Sequence, residues 1–398
     1  MSKKVAITGM GIISSIGNNV EENYSALIQG KTGITQTDYL ETIHKDTLKF
    51  GEIKFSNAEL EKILNLSPDH RFPRTSLLGT FAAKQAVENA GIQEVNEVPT
   101  GLISSTSVGG MDKTEKYFYE YFDNESVRKF ILSHDAGETS HQIADYLGIK
   151  GFVTTISTAC SSAANAIMLG ARLIQSGQLE RVIVGGSDAL SIFTINGFNS
   201  LMILTDGVNT PFDQNRKGLN LGEAAAYLVL ESDSQVKKAN KNVLAYLSGF
   251  GNANDAFHQT ASSENGEGAT LAMQKAFVVS GLKTGDIDYI NAHGTATPNN
   301  DLSEGRAIQN VFGNTVPVFS STKPFTGHTL AAAASVEAVY SILALQNNVV
   351  FPNMNFKTPM QEFGLVPQTE LLEREINHVL SNSFGFGGNC STLIFSKS

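Results

Sequence analysis

Cys160 stands in the turn STACSSA, between a β-branched run and a long stretch of small and apolar residues, AANAIMLGARLI. Strand, sharp turn and a helix apolar nearly all round is the expected local structure, with the cysteine at the helix start. A helix N-terminus leaves backbone N–H groups unpaired and carries partial positive charge. That setting predicts a thiol that loses its proton easily, hence a thiolate nucleophile. An inert buried cysteine would fit the same stretch. Two histidines sit at element ends, each beside a glycine: His293 in NAHGTATPNND, and His328 in STKPFTGHTLAAAA shortly after Lys323. A single histidine is more often structural, but this geometry can aim an imidazole into a cleft. In SNSFGFGGNCS, Gly385, Gly387 and Gly388 let backbone N–H groups approach a ligand, although an ordinary tight turn reads the same way. A thiol at a helix start, two imidazoles and a Gly-rich loop form a set suited to acyl transfer.

The elements that must position these groups recur in order. Residues 5–13 read as a strand, 19–29 as a helix, and 75–91 as a helix closed by a glycine. Strands follow at 100–106 and 181–186, and a further one at 220–231 with a bulge near its glycine. The segment 111–148 has the densest charge and aromatic content, including KYFYEYF, and reads as helical. The polar, basic 237–242 marks a junction. After it come a strand (244–251), a helix (268–281), a strand into His-Gly (288–292), a small-residue helix (329–346) and a strand into FGFGG (378–383). The stretches led by STAC and by STK match as two buried helices, and RVIVGGSDA and HVLSNSFGF as equivalent strands. This weak internal repeat predicts two similar α/β halves, 1–240 and 241–398, with buried helices sandwiched between sheets.

The chain has 398 residues, 41% of them hydrophobic and 17% charged, with a net charge of −10. That length exceeds one ordinary core, and the composition argues against long disorder. The negative charge argues against bulk nucleic-acid binding. Two cysteines, Cys160 and Cys390, are too few for a disulfide framework and suit a reducing compartment. The opening MSKKVAITGMGIISSIG fits a first strand better than a signal peptide. No apolar run reads as approaching the length of a membrane span, so a cytoplasmic protein is expected.

The set TACSSA, NAHGTATPNND, STKPFTGHTLAAAASVEA, NSFGFGG and PFDQNRKGLNLGEAAAYLVLE resembles the elongating β-ketoacyl-[acyl-carrier-protein] synthases, in order and over nearly the whole chain. The resemblance implies the thiolase fold, five layers in the order αβαβα. It implies that Cys160 accepts an acyl chain from the phosphopantetheine arm of an acyl carrier protein. His293 and His328 would promote decarboxylation of malonyl-carrier protein. Lys323 would hold the site's charge and geometry, with Glu337 behind it. The N–H groups of Cys160 and Phe386 would form the oxyanion hole, with Phe386 as a gate and Phe384 beside it. Thr295, Thr297 and Thr260 would bind the pantetheine arm, and Phe198 would line the acyl pocket. Arg71 and Arg74 would dock the acidic carrier protein, although solvated surface arginines fit the sequence as well. No metal and no organic cofactor beyond the carrier's phosphopantetheine is implied. A homodimer is expected, or a heterodimer with a cysteine-less sister chain.

The sequence also departs from the family's pattern. Gly222-Glu223-Ala224-Ala225-Ala226 stands where GEGAG is usual, and Leu219 replaces an aromatic. Cys390 occupies an active-site loop position away from any helix start, where little chemical role is expected. The segment 111–148 is unfamiliar, and Ile195-Asn196 stand near a position that is often glycine. These differences bear on acyl specificity. The expected reaction is decarboxylative condensation in fatty acid elongation. The alternatives are a specialised polyene or pigment pathway and a non-catalytic chain-length partner.

Overall fold

A computed structural model describes residues 5–398. The first half runs β1 (Val5–Ser14), α1 (Val20–Ile28), α2 (Asn57–Ile63), α3 (Arg74–Asn89), β2 (Thr100–Ser105), α4 (Met111–Tyr117), α5 (Ala136–Leu147), β3 (Val153–Ile156), α6 (Ser162–Gln175), β4 (Arg181–Asp188), α7 (Ile192–Ser200), β5 (Ala224–Ser232) and α8 (Asp233–Ala239). The second runs β6 (Ala245–Asn254), α9 (Glu267–Ser280), β7 (Tyr289–Asn291), α10 (Pro298–Phe312), β8 (Val318–Ser320), α11 (Lys323–Thr326), α12 (Ala333–Asn347), β9 (Val349–Val350), β10 (Leu372–Glu373), β11 (His378–Gly385) and β12 (Asn389–Ser396).

Ten strands form one sheet in the order β3-β2-β4-β5-β1-β6-β12-β11-β7-β8, and β9 pairs with β10 apart from it. Read from either edge, the pairing pattern is the same. β2 lies parallel to β3 and β4, and β4 antiparallel to β5; β7 lies parallel to β8 and β11, and β11 antiparallel to β12. The halves meet where β1 pairs with β6 over Val5–Ile7. Helices α3 and α5 cover one half and α9 and α10 the other, while α6 and α12 touch each other between them. That is the five-layered arrangement expected.

The central helices explain themselves by composition. In α12, every residue from Ala333 to Leu345 is buried. Its Ala and Ser residues let both halves of the sheet and α6 approach closely. The stretch Leu330–Asn347 is long and apolar enough to cross a membrane, contrary to expectation, but 89% of it is buried inside the fold. A helix apolar on all faces is what a place between the two halves of the sheet requires.

Other differences have local causes. Helix α10 is not among the elements read from the sequence; it begins at Pro298, because proline at a first helical position loses no hydrogen bond. The segment 111–148 is broken into α4, a 3-10 stretch (Glu125–His134) and α5. Strand β5 starts only at Ala224. The residues before it leave the sheet to hold His328: the His328 N–H donates to Asn220 O at 2.7 Å, and the Gly222 N–H donates to His328 O at 3.0 Å.

Candidate active site

Cys160 lies two residues before α6, on an elbow whose preceding residue, Ala159, has φ +52°. A left-handed backbone at a residue with a Cβ is strained and persists only where its surroundings enforce it. The Gly-rich loop does so from the other half. A Cβ on Gly385 would sit 2.8 Å from Thr158 O and 3.1 Å from Cys160 N, so only glycine allows this approach. Asn389, after the loop, ties it to the elbow. Its Oδ1 accepts from Ser161 Oγ at 2.8 Å and from the side-chain amides of Asn165 and Asn252, each at 2.9 Å.

The sulfur faces His328 Nε2 at 3.0 Å. The Leu330 N–H donates to His328 Nδ1 at 3.2 Å, which leaves the ring proton on Nε2, aimed at the sulfur. His293 is fixed in the same sense by Lys323. The Lys323 ammonium donates to Glu337 Oε1 at 2.5 Å, to His293 O at 2.5 Å and to His293 Nδ1 at 3.2 Å. Its three protons meet three acceptors, so His293 also carries its proton on Nε2. The two rings lie edge to face, 5.4 Å apart. Burial, and then the Lys323 charge, hold both imidazoles far below their ordinary pKa, so both are neutral. Cys160 Sγ and one nitrogen of each ring lie within 4.8 Å of one another, a set that could ligate a soft metal ion. The nearby ammonium and the inward N–H groups oppose a dication there.

The thiol corrects the sequence expectation. Burial pushes Cys160 up to about 11, and Asp188 adds to the rise. Lys323 and the backbone N–H groups of Phe386 and Cys160 pull the other way without prevailing. Desolvation outweighs the helix terminus, so the resting group is a thiol.

Two cavities meet at this sulfur. The first, 260 Å³, is bounded by His293, His328, Phe384, Thr260, Thr295 and Thr297. The second, 360 Å³, runs along α7 past Phe193, Thr194 and Leu201. Phe198 and Phe386 border both and stack at 5.8 Å, 18° from parallel. Thr295 and Thr297 share a hydrogen bond at 2.9 Å, and Leu219 lines the first cavity. Lys323 and Glu337 form a buried ion pair behind the rings.

The family description "Beta-ketoacyl synthase, N-terminal domain" matches residues 2–236, and "Beta-ketoacyl synthase, C-terminal domain" matches residues 244–357. The chain belongs to the β-ketoacyl synthase family. Among curated relatives, the synthase is 33% identical to 3-oxoacyl-[acyl-carrier-protein] synthase 2 of Staphylococcus aureus (strain COL), over 100% of this chain and 99% of that one. It is 32% identical to the protein of the same name from Vibrio cholerae, over the whole of both chains. Among solved structures it is similar to the ishigamide ketosynthase/chain length factor, at 28% identity and TM-score 0.94 over 100% of each chain. It is also similar to a chain of the solved complex of the ketosynthase ApeO with its chain length factor ApeC from Xenorhabdus doucetiae, at 30% identity and TM-score 0.88, over 100% of this chain and 98% of that one. The fold is that of the thiolase-type ketosynthases, and the enzyme is an acyltransferase of the ketosynthase type.

Not every expected residue reaches the synthase's site. Arg74 is no docking residue: its side chain is 10% exposed and pairs with buried Glu223 through Nε at 2.8 Å and Nη2 at 2.6 Å. Arg71 is half exposed but is engaged by Glu138 at 2.7 Å. Cys390 is buried in the core of the second half, its thiol pushed up to about 12 by burial, then Asp255 and Glu304.

Sequence reasoning missed two buried carboxylates. Asp188 ends β4 and accepts from Thr106 Oγ1 at 2.5 Å, Ser107 Oγ at 2.6 Å and the Ala331 N–H at 2.8 Å, joining the β2 end to the His328 loop. Glu304, on α10, accepts from the His293 and Gly294 N–H groups at 2.9 and 2.8 Å. Burial pushes it up to about 7. For Asp188 the one signal was an acid in an otherwise apolar or small-residue stretch; Glu304, with Asp301 and Arg306 near it, gave none.

Proposed function

We propose that the synthase condenses an acyl group held on Cys160 with malonyl-[acyl-carrier-protein]. The observation that carries this is the pair of neutral imidazoles beside the sulfur, His328 with Nε2–H aimed at it and His293 with its proton left on Nε2, one nitrogen of each ring lying within 4.8 Å of the sulfur. Such donors match an enolate oxygen, the charge that develops when a malonyl thioester loses CO2. Cys160 attacks the acyl thioester, the phosphopantetheine thiol leaves with a proton, and the acyl group stays on sulfur. The N–H groups of Cys160 and Phe386 receive the oxyanion. Malonyl-carrier protein then enters on the side of Thr260, Thr295 and Thr297, which bind its pantetheine arm. CO2 departs, and the enolate carbon forms a bond to the acyl carbon. The Cys160 thiolate leaves and takes up one proton. Its raised pKa favours that last step. The product is a 3-oxoacyl-carrier protein two carbons longer. The phosphopantetheine arm comes with the carrier, so it is substrate and not a resident cofactor.

Fatty acid elongation is the pathway favoured by the curated relatives' names. A specialised pathway with a chain-length-factor partner is the second reading, favoured by the similarity to chains of the ishigamide ketosynthase/chain length factor and of the ApeO–ApeC complex. The presence of Cys160, His293, Lys323 and His328 together argues against a non-catalytic role. The protein acts as a dimer in either reading, with acyl carrier protein as its partner. Intact-mass analysis after incubation with acyl-carrier proteins, with Cys160→Ala as control, tests the reaction. Loading of saturated chains supports elongation, and loading confined to unsaturated or aryl-primed chains supports the second pathway. If Cys160 loads nothing, alone or with candidate sister chains, the reading is wrong.

A further inference from the structure

Helix α7 is the wall of the cavity that leads away from Cys160, through Phe193, Thr194, Phe198 and Leu201. Its first turn contains no acidic residue. A helix start of this kind needs acceptors for its free N–H groups. The Ser191 side chain accepts from the Thr194 N–H at 3.2 Å. A carboxylate from a distant element takes the first two, and a second holds the chain just before the cap. Glu223, fixed by Arg74, accepts the Leu190 N–H at 3.1 Å. Glu115, on α4 and 77 residues away from Ile192, accepts the Ile192 N–H through Oε1 at 3.0 Å. Its Oε2 accepts the Phe193 N–H at 2.9 Å. Both oxygens of one side chain thus grip successive amides, which fixes the helix in slide and in roll.

The grip reaches the chemistry along α7. Phe198 leaves the same helix and stacks on Phe386, whose N–H lies at the sulfur. We propose that Glu115 is a positioning residue that sets acyl-group selectivity, by holding α7 at one distance from Cys160. This rests on the reading that Cys160 takes the acyl group. It assigns a role to α4, in the part of the chain least like the family.

The test compares wild type, Glu115→Ala, Glu115→Gln and the exposed neighbour variant Lys116→Ala. Loading rates of Cys160 from butyryl-, octanoyl- and palmitoyl-carrier proteins are measured by intact mass. Alkylation by iodoacetamide, a probe too small to sense the cavity wall, is measured alongside. Glu115→Ala is expected to flatten the spread of loading rates about tenfold, with alkylation within about twofold of wild type. Glu115→Gln keeps one acceptor and should fall between. Lys116→Ala should match wild type. Hydrogen exchange of the 190–200 segment should quicken in Glu115→Ala. An unchanged spread in both Glu115 variants overturns the proposal, and so does an equal loss of all loading and of alkylation. If Glu115→Ala fails to fold, Glu115→Gln decides alone. A wild type that loads every chain at one rate overturns this proposal only. A wild type that loads none overturns the proposed reaction and this inference with it.

Discussion

His328 Nε2 lies 3.0 Å from Cys160 Sγ with its proton turned toward the sulfur, because the Leu330 amide occupies Nδ1. Leu330 itself has φ +53°, a strained backbone on the residue that fixes the tautomer. In the proposed reaction the histidine would therefore act as a hydrogen-bond donor to the thiolate and to later oxyanions. It stabilises charge at the sulfur without taking the proton. The free thiol must lose its proton elsewhere, and burial makes that costly.

Alkylation of Cys160 should show this directly. With the thiol pushed up to about 11, thiolate is the minor form throughout the neutral range. The iodoacetamide rate should rise about tenfold per pH unit from pH 7 to pH 9, with no plateau. A plateau below pH 8 would mean that the helix terminus had prevailed over burial. The experiment is a mass-spectrometric time course with Cys160→Ala as blank.

The histidines titrate in the opposite sense. Both are buried, and their folded pKa values lie far below the ordinary 6.5. Unfolded histidines protonate as pH falls through about 6.5 while the folded ones stay neutral, so their contribution to stability is present above that value and lost below it. Decarboxylation should show no inflection near pH 6.5, because the donors remain neutral. Melting temperature should fall on acidification, and His328→Asn should reduce that fall. An activity step near pH 6.5 that persists in Glu304→Gln, which removes the carboxyl pushed up to about 7 beside His293, would contradict the neutral assignment.

Arg71 and Arg74 separate docking from folding. Arg74→Glu would place two carboxylates together in a buried site that now holds a bidentate pair. The expected result is a loss of stability of about 3–5 kcal/mol, read by denaturant melts. Arg71→Glu touches only an exposed pair and should change stability by less than about 1 kcal/mol. If Arg71 meets the carrier protein, that variant alone raises KM for the carrier substrate.

The contrast shows what the sequence could reveal. Cys160, His293, Lys323 and His328 were legible because glycines and small residues punctuate the turns that present them. Those turns are local, and so is their signal. Arg74 reads as a surface cation because its partner Glu223 lies 149 residues on. The roles of Asp188 and Glu115 were hidden for the same reason: their partners, backbone amides and, for Asp188, also the Thr106 and Ser107 hydroxyls, lie on other elements. The direction of the thiol's shift was misread because helix termini are visible in sequence and burial depth is not. Helix α7 was missed because IFTINGFNS has poor helix formers, and carboxylates from elsewhere hold its start.

Gly385 tests the close contact between the halves. Any Cβ there meets the Thr158 carbonyl at 2.8 Å and must push the Phe386 loop outward. Gly385→Ala should therefore move one oxyanion donor while leaving the core intact. Acylation of Cys160 is expected to slow about a hundredfold, the usual loss for one such donor. Circular dichroism and melting temperature should change little. An equal acylation rate would show that the Phe386 N–H does not serve the oxyanion.

Lys323 and Glu337 allow stability and chemistry to be pulled apart. Their side chains are 2% and 3% exposed and share a hydrogen bond of 2.5 Å. Lys323→Met leaves the Glu337 carboxyl buried without its partner, where burial already raises its pKa. The single variant should lose about 3–5 kcal/mol at neutral pH. It should recover part of that loss on acidification, as Glu337 takes a proton. Pairing it with Glu337→Leu removes both charges and should restore much of the stability, because two apolar groups can replace a buried ion pair. The double variant still lacks the donor on His293 Nδ1 that holds the proton on Nε2. Decarboxylation should therefore stay low in a well-folded protein. Recovery of stability and activity together would mean that Lys323 serves only to neutralise Glu337, and that the tautomer of His293 does not depend on it.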